Sequence, residues 1–184
     1  MSPAPESQSY SDPQLVGIER VLVTCAHPDD VDFGAAGTVA RWTAAGVEVT
    51  YCFVTDGEAG GLEDEPDRAR VARMRRSEQT RAAGEVGVET LEFLAYRDGR
   101  VEPSLALRRD LTRVIRTYRP DRILTQSPER RWDRIDPGHP DHLATGEATM
   151  RAVFPDARTK FAHRELAEAG ITETPPKRLV MVVS

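Results

Sequence analysis

The stretch that decides the fold is RVLVTCAHPDD, Arg20 to Asp30. Its first half, Arg20–Cys25, is a short apolar run of the kind that forms a buried strand. Its second half turns at once to chemistry: Ala26, His27, Pro28, Asp29 and Asp30 follow with no spacer. In an open α/β sheet, ligands bind beyond the carboxyl ends of the strands. A strand that delivers a histidine and two aspartates from that end is therefore both a fold signal and a site signal.

Reading outward, Phe33–Ala45 is Ala-rich and ends at Gly46, which predicts a helix with a glycine stop. Val47–Thr55 (VEVTYCFVT) is β-branched and aromatic throughout, and predicts the next strand. A Gly- and acid-rich loop, Asp56–Pro66, leads to a helix over about Asp67–Ala83 and a strand at Thr90–Leu94. In Ser104–Tyr118, the residues Leu107, Leu111, Val114, Ile115 and Tyr118 share one face at helical spacing, and Pro120 lies just beyond. Ile123–Gln126 reads as a strand, His139–Phe154 as a loop running into a helix, and Arg178–Val183 as a last strand. Strands alternate with helices from start to finish. Parallel neighbours need crossover connections, so the pattern predicts one α/β domain, residues 14–184, with a mostly parallel sheet flanked by helices.

Composition narrows the function. A chain of 184 residues suits a single domain with its own core. The formal charge of -5 argues against nucleic acid as a partner, because phosphate contacts need clustered Lys and Arg. Arginines at 68, 70, 73, 75, 76 and 81 alternate with Asp67, Glu78 and Glu85, and read as a solvated helix face. Cys25 and Cys52 sit in strand-like runs, the setting of two buried free thiols in a reducing compartment. No stretch approaches the ~18 apolar residues of a membrane span. Residues 1–13, rich in Ser, Pro and Gln without an apolar core, predict a disordered lead-in rather than a signal peptide. The expected setting is cytoplasmic, with a small molecule as partner and a homo-oligomer left open.

A second motif repeats the first. His139-Pro140-Asp141-His142 follows the Ile123–Gln126 strand and an irregular loop, so both motifs reach the same rim of the sheet. Either alone is as readily a helix cap as a metal site, and Asp29 or Asp30 is a natural N-cap. Two His-Pro-Asp motifs after strands are much harder to dismiss. A catalytic zinc takes three protein ligands from His, Asp and Glu and leaves a place for water, whose pKa falls towards ~7. His27, Asp30 and His142 supply two nitrogens and one oxygen. Asp29 is then placed as the general base for the water. His139 is placed to give the leaving nitrogen its proton and to stabilise the oxyanion, with Asp141 holding its imidazole.

At these residues the chain resembles the phosphatidylinositol-glycan class L / LmbE-like zinc N-deacetylases, which carry an AHPDD segment and a later HPDH. Both stand here unsubstituted, with further matches at Gly34, Gly37, Thr38, Thr55–Glu58 and Arg75-x-x-Glu78, over roughly residues 20–155. The resemblance implies a Rossmann-like sheet and one Zn2+ per chain on His27, Asp30 and His142. It implies the same roles for Asp29, His139 and Asp141, and substrate contacts from Arg75 and Asp98. A helix-surface bridge from Arg75 to Glu78, and a turn-shaping role for Asp98 before Gly99, are the plainer readings of those two. Gly61 and Pro137 stand where members acting on inositol-linked glucosamine tend to carry Glu and Tyr, which turns the reading from that substrate. Trp132 and the arginines of the loop 130–138 either line the pocket or simply pack. The chain stops at Ser184, directly after a strand, where the resembled family usually continues; a missing C-terminal part is expected.

The expected activity is removal of an acetyl or similar acyl group from an amide nitrogen, on a small substrate of N-acetylglucosamine type. Two alternatives share the scaffold: an amidase of thiol-conjugate amides, and a glycan-binding module without catalysis, which predicts a lost ligand or base. A dinucleotide-binding oxidoreductase is weak, since AHPDD replaces the G-x-G-x-x-G turn.

Overall fold

The computed structural model describes residues 15–60, 67–132, 138–176 and 178–182. The expected lead-in 1–13, Gly61, Pro137 and most of the loop 130–138 lie outside the described residues. The elements are β1 (Arg20–Cys25), α1 (Asp30–Gly34), α2 (Ala36–Ala44), β2 (Glu48–Thr55), α3 (Arg68–Glu85), β3 (Thr90–Tyr96), α4 (Leu105–Tyr118), β4 (Arg122–Gln126), α5 (Pro140–Val153), α6 (Arg164–Glu168) and β5 (Arg178–Val182). The five strands lie in the order β3-β2-β1-β4-β5, and every neighbouring pair is parallel. Val23 at the centre of β1 faces Tyr51 of β2 on one side and Leu124 of β4 on the other.

Side chains of a strand alternate between faces, and here both faces are covered. Val21, Val23 and Cys25, with Val49, Tyr51 and Phe53, pack against Val31, Val39 and Trp42. Leu22, Cys52 and Val54 pack on the other side against Leu107, Leu111, Ile115 and Ala148. That is the double cover a parallel sheet requires, and each fully buried side chain of this size contributes about 1.5–3 kcal/mol. The spacing read from α4 holds: Leu107, Leu111, Val114 and Ile115 are all buried, and Ser104 caps the helix by accepting from the Leu107 N–H at 3.2 Å. Cys25 and Cys52 are buried and unbridged. Among the described residues, no helix is long and apolar enough to cross a membrane.

Three expectations are corrected. The single helix predicted over Phe33–Ala45 is two, α1 and α2, broken at Ala35 (φ -146). Phe33 falls inside the first and is 90% exposed. Gly34, directly before the break, is the local feature that weakens the helix there. β3 runs on past Leu94 to Tyr96, through Ala95 in the left-handed region and a register shift against β2. Helix α3 is not uniformly solvated. Arg76 holds the Asp56 carboxylate with two bonds of 2.8 Å and lies over the Phe93 ring, while Arg75 turns towards the first motif.

The chain winds from β1 outward to β3 and then returns to the other side of β1 with β4. The β1/β4 pair is thus the point where strand order reverses, and the crevice over its carboxyl end is the natural site in such a sheet.

Candidate functional site

Each functional side chain arrives at that rim from a strand end or a helix start. His27 follows β1, and Asp29 and Asp30 open α1. Asp29 is the N-cap of α1, yet its side chain makes no capping bond, so its carboxylate is available for other work. Its backbone has φ 89, a left-handed conformation that costs a non-glycine residue of order 1 kcal/mol or more. The neighbours hold it there: the Asp29 N–H donates to Gln79 Oε1 at 2.7 Å, and Arg75 donates to the Pro28 carbonyl at 2.8 Å. The second motif is set by α5. His139 is its N-cap, Pro140 occupies the first turn, and His142 points back from the same turn.

Three ligand-type atoms converge. His27 Nδ1 lies 3.3 Å from His142 Nε2 and 3.6 Å from Asp30 Oδ2, and His142 Nε2 lies 3.1 Å from Asp30 Oδ1. Zinc bonds of about 2.0–2.2 Å in a tetrahedron put ligand atoms roughly 3.3–3.6 Å apart, and the contacts among these three residues, made through the two different oxygens of Asp30, are close to that separation. Two other clusters, His27–His139–His142 and His27–Asp98–Asp141, also bring ligand-type atoms together. The second is better described as support. Asp141, with no exposed surface, accepts from the Gly99 N–H at 2.7 Å and the Val101 N–H at 3.1 Å, so both its oxygens are bonded. It and Asp98 face His27 Nε2, at 3.3 and 3.1 Å, as carboxylates behind a ligating imidazole do. On the far side of its ring, His142 Nδ1 is buried without a hydrogen-bond partner among the described residues.

The electrostatics favour positive charge at this point. Burial alone would lower the His27 pKa, but hydrogen bonds and charge from Asp30 and Asp98 raise it to about 10. Against the opposing effect of burial, the two histidines hold the Asp30 carboxyl well below the ordinary carboxylate range. A centre that attracts a proton this strongly is equally suited to a divalent cation. Asp29 differs. Burial lifts its pKa, Arg75 opposes the rise, and the charge on Asp30 adds to it. His139 is lowered by burial first and then by His27 and His142.

Arg75 and Asp98 both line the same open pocket as His27, Asp29 and His139. Arg75 donates to Asp29 Oδ2 at 2.7 Å, so its partner is Asp29 rather than Glu78. The glycines of the loop after β2 make room for it. A methyl group on Gly60 would come within 2.6 Å of its guanidinium, and one on Gly57 within 2.8 Å. Asp98 both faces His27 and shapes its turn, accepting from Ala59 N–H at 2.9 Å, while its own N–H donates to Glu58.

One expectation about the second motif is corrected. The Asp141 carboxylate was expected to hold the His139 ring; it instead holds the Gly99–Val101 backbone and faces His27. What joins Asp141 to His139 is the Asp141 backbone N–H, which donates to His139 Nδ1 at 3.2 Å. In a neutral ring that places the remaining hydrogen on Nε2. Trp132 is 89% exposed. Gln79 and Gln126, whose amides tie Asp29 and Asp30 down, were not singled out from the sequence; glutamine has no chemistry of its own to draw attention, and its position just beyond or beside a motif was the only available signal.

Comparison with known proteins gives a consistent picture. The model of the GlcNAc-PI de-N-acetylase (PIG-L) family matches residues 22–153. Diacetylchitobiose deacetylase of Thermococcus kodakarensis is 32% identical over 136 residues, 74% of this chain and 49% of that protein, so the chain spans about half the length of this relative. A Bacillus anthracis protein named "Probable N-acetyl-alpha-D-glucosaminyl L-malate deacetylase 2" is 30% identical, over 87% of this chain and 77% of its own length. Among solved structures, N,N'-diacetylchitobiose deacetylase from Pyrococcus horikoshii superposes with a TM-score of 0.82 at 27% identity, covering 92% of this chain and 62% of that one.

Proposed function

The chain belongs to the GlcNAc-PI de-N-acetylase (PIG-L) family, and from that premise we propose that it is a zinc-dependent hydrolase that removes an acetyl group from the amide nitrogen of a small N-acetylglucosamine-type substrate. The observation that carries the reading is the meeting of His27 Nδ1, Asp30 and His142 Nε2 within 3.1–3.6 Å of one another, beside Asp29 and His139 in one open pocket. The named relatives, which act on acetylated amino sugars, support the substrate class.

In this reading His27, Asp30 and His142 would hold the ion, with Asp98 and Asp141 behind the His27 ring. A bound zinc supplies Lewis acidity, polarising the acyl carbonyl and acidifying a water near neutral pH. Asp29 takes one proton from the attacking water as its oxygen bonds to the acyl carbon. Arg75, on the outer oxygen of Asp29, keeps that carboxylate ionised and aimed until it does so. His139, with Nδ1 already accepting from the Asp141 backbone, presents Nε2–H to the developing oxyanion. Asp29 then returns its proton to the amide nitrogen as the carbon–nitrogen bond breaks, leaving a free amine and acetic acid, which gives up its proton to the amine or to water and departs as acetate. This differs from a cationic His139 as the acid, because protonating Nδ1 would break the Asp141 contact.

The test is release of free amine from N,N'-diacetylchitobiose and N-acetylglucosamine conjugates by zinc-replete protein, alongside thiol-conjugate amides. Amine from the sugars alone supports the proposal. Amine from the thiol conjugates alone replaces it with the amidase reading, and no amine from either ends both.

A further inference from the structure

Gln126, the last residue of β4, is 4% exposed and both ends of its amide are used. Its Nε2 donates to Asp30 Oδ2 at 3.0 Å, and its Oε1 accepts from the Ala26 N–H at 2.9 Å. The same Asp30 oxygen also accepts from the His27 N–H at 2.8 Å. Oδ2 is therefore held by two N–H donors, which leaves Oδ1 as the oxygen turned to His142 Nε2, 3.1 Å away. The backbone of Gln126 does a second task. Its carbonyl lies directly against Gly146 of α5, where no side chain would fit. His142 is one turn earlier on that helix. One buried residue thus references the Asp30 carboxylate, the backbone at the start of the first motif and the helix that carries the second.

We infer that Gln126 is a positioning residue for the metal centre, fixing which oxygen Asp30 offers to the cation and tying that oxygen to the helix bearing His142. The inference rests on the ligand set proposed above. Carboxylate ligands are oriented by hydrogen bonds of this kind, and removing such a partner typically weakens metal binding by about 10–100-fold.

The experiment uses Co2+ on the full chain, because its visible absorption reports coordination geometry directly. Gln126→Met removes both bonds. It is expected to weaken Co2+ binding by about 10–100-fold and to shift the absorption of the saturated protein. Gln126→Glu keeps an acceptor for the Ala26 N–H but turns a carboxylate oxygen to Asp30. With two carboxylates facing each other, it is expected to leave the spectrum altered as well. Wild-type affinity and spectrum in both variants, or a lowered melting temperature with an unchanged spectrum, would overturn the inference. His142→Ala is measured beside them: if it too keeps wild-type Co2+ binding, the ligand set itself is wrong, whereas loss there with no change at 126 removes only the role of Gln126.

Discussion

Arg75 grips Asp29 from two sides, donating 2.7 Å to its carboxylate and 2.8 Å to the carbonyl of the preceding Pro28. The bond spans 46 positions of sequence and joins helix α3 to the left-handed peptide that opens α1. The pair is partly solvated, with Asp29 49% exposed, so its worth lies in aim rather than in stability.

Two variants separate aim from ligation. Asp29→Ala is expected to keep zinc and to lose turnover by about 10²–10⁴-fold, the usual contribution of a general base. Arg75→Met is expected to keep zinc as well and to lower kcat, with the melting temperature nearly unchanged. Metal analysis of the purified variants beside amine-release assays decides it. Zinc lost from Asp29→Ala would place that carboxylate among the ligands.

The three histidines of the pocket are distinguished in the same way. Their rings are nearly equidistant, with centroids 4.9–5.2 Å apart, so ring proximity alone does not say which two bind the ion. Nitrogen positions support the proposed pair: His139 Nδ1 is engaged by the Asp141 backbone, while His142 Nε2 meets Asp30. His27→Ala and His142→Ala are expected to lose zinc and activity together. His139→Ala is expected to retain zinc and to lower kcat by about 10²–10³-fold, as loss of an oxyanion donor does. An empty site in His139→Ala would exchange its role with that of His142.

The residues that meet at the candidate site were legible because their types are costly to place without a reason. His27, Asp30 and His142 stand out after strands, and the apolar runs of β1, β2 and β4 needed no partner information to be read. What joins them was not legible. The all-polar surface of α3 gives no sign that Arg75 and Arg76 turn inward, since their partners Asp29 and Asp56 lie far away in sequence. The break at Ala35 sits between Gly34 and Gly37, whose low helix propensity was the one local sign of it. Asp141 could be assigned to His139 by adjacency, but its carboxylate is claimed by Gly99 and Val101, which only the packing of the β3–α4 loop on α5 brings within reach.

Gly146 offers a test of how closely the second motif is tied to the sheet. Glycine inside a helix costs roughly 1 kcal/mol against alanine, so Gly146→Ala would be stabilising on propensity alone. Here the added methyl would overlap the Gln126 carbonyl oxygen and come within 3.0 Å of the Pro128 nitrogen, both backbone atoms that cannot swing aside. The helix must move instead, and His142 with it. Destabilisation by about 1–3 kcal/mol in urea unfolding, together with weaker zinc binding, is expected. A stabilised variant with unchanged zinc affinity would mean that α5 tolerates the shift and that the close approach has no part in the site.

Away from the candidate site, Cys52 makes stability depend on alkaline pH. It is completely buried between β2 and the α4 layer, and burial, with a smaller contribution from Glu92, raises its thiol from 9.0 to about 12. Between those values the unfolded chain has lost a proton that the folded chain still holds. Stability is therefore intact below pH 9 and falls as pH rises from about 9 towards 12, at no more than about 1.4 kcal/mol per pH unit for this one group. Cys25, also raised by burial, adds in the same direction, as does Tyr118, raised to about 12 by burial and its bond to Glu92. Urea midpoints of the wild type and Cys52→Ala at pH 8 and pH 10.5 isolate the contribution of Cys52. The variant is expected to be weaker at pH 8, having lost a packed side chain, and to lose less on going to pH 10.5. Parallel declines in the two proteins would show that the thiol ionises within the fold as readily as outside it, and that the packing around β2 admits water.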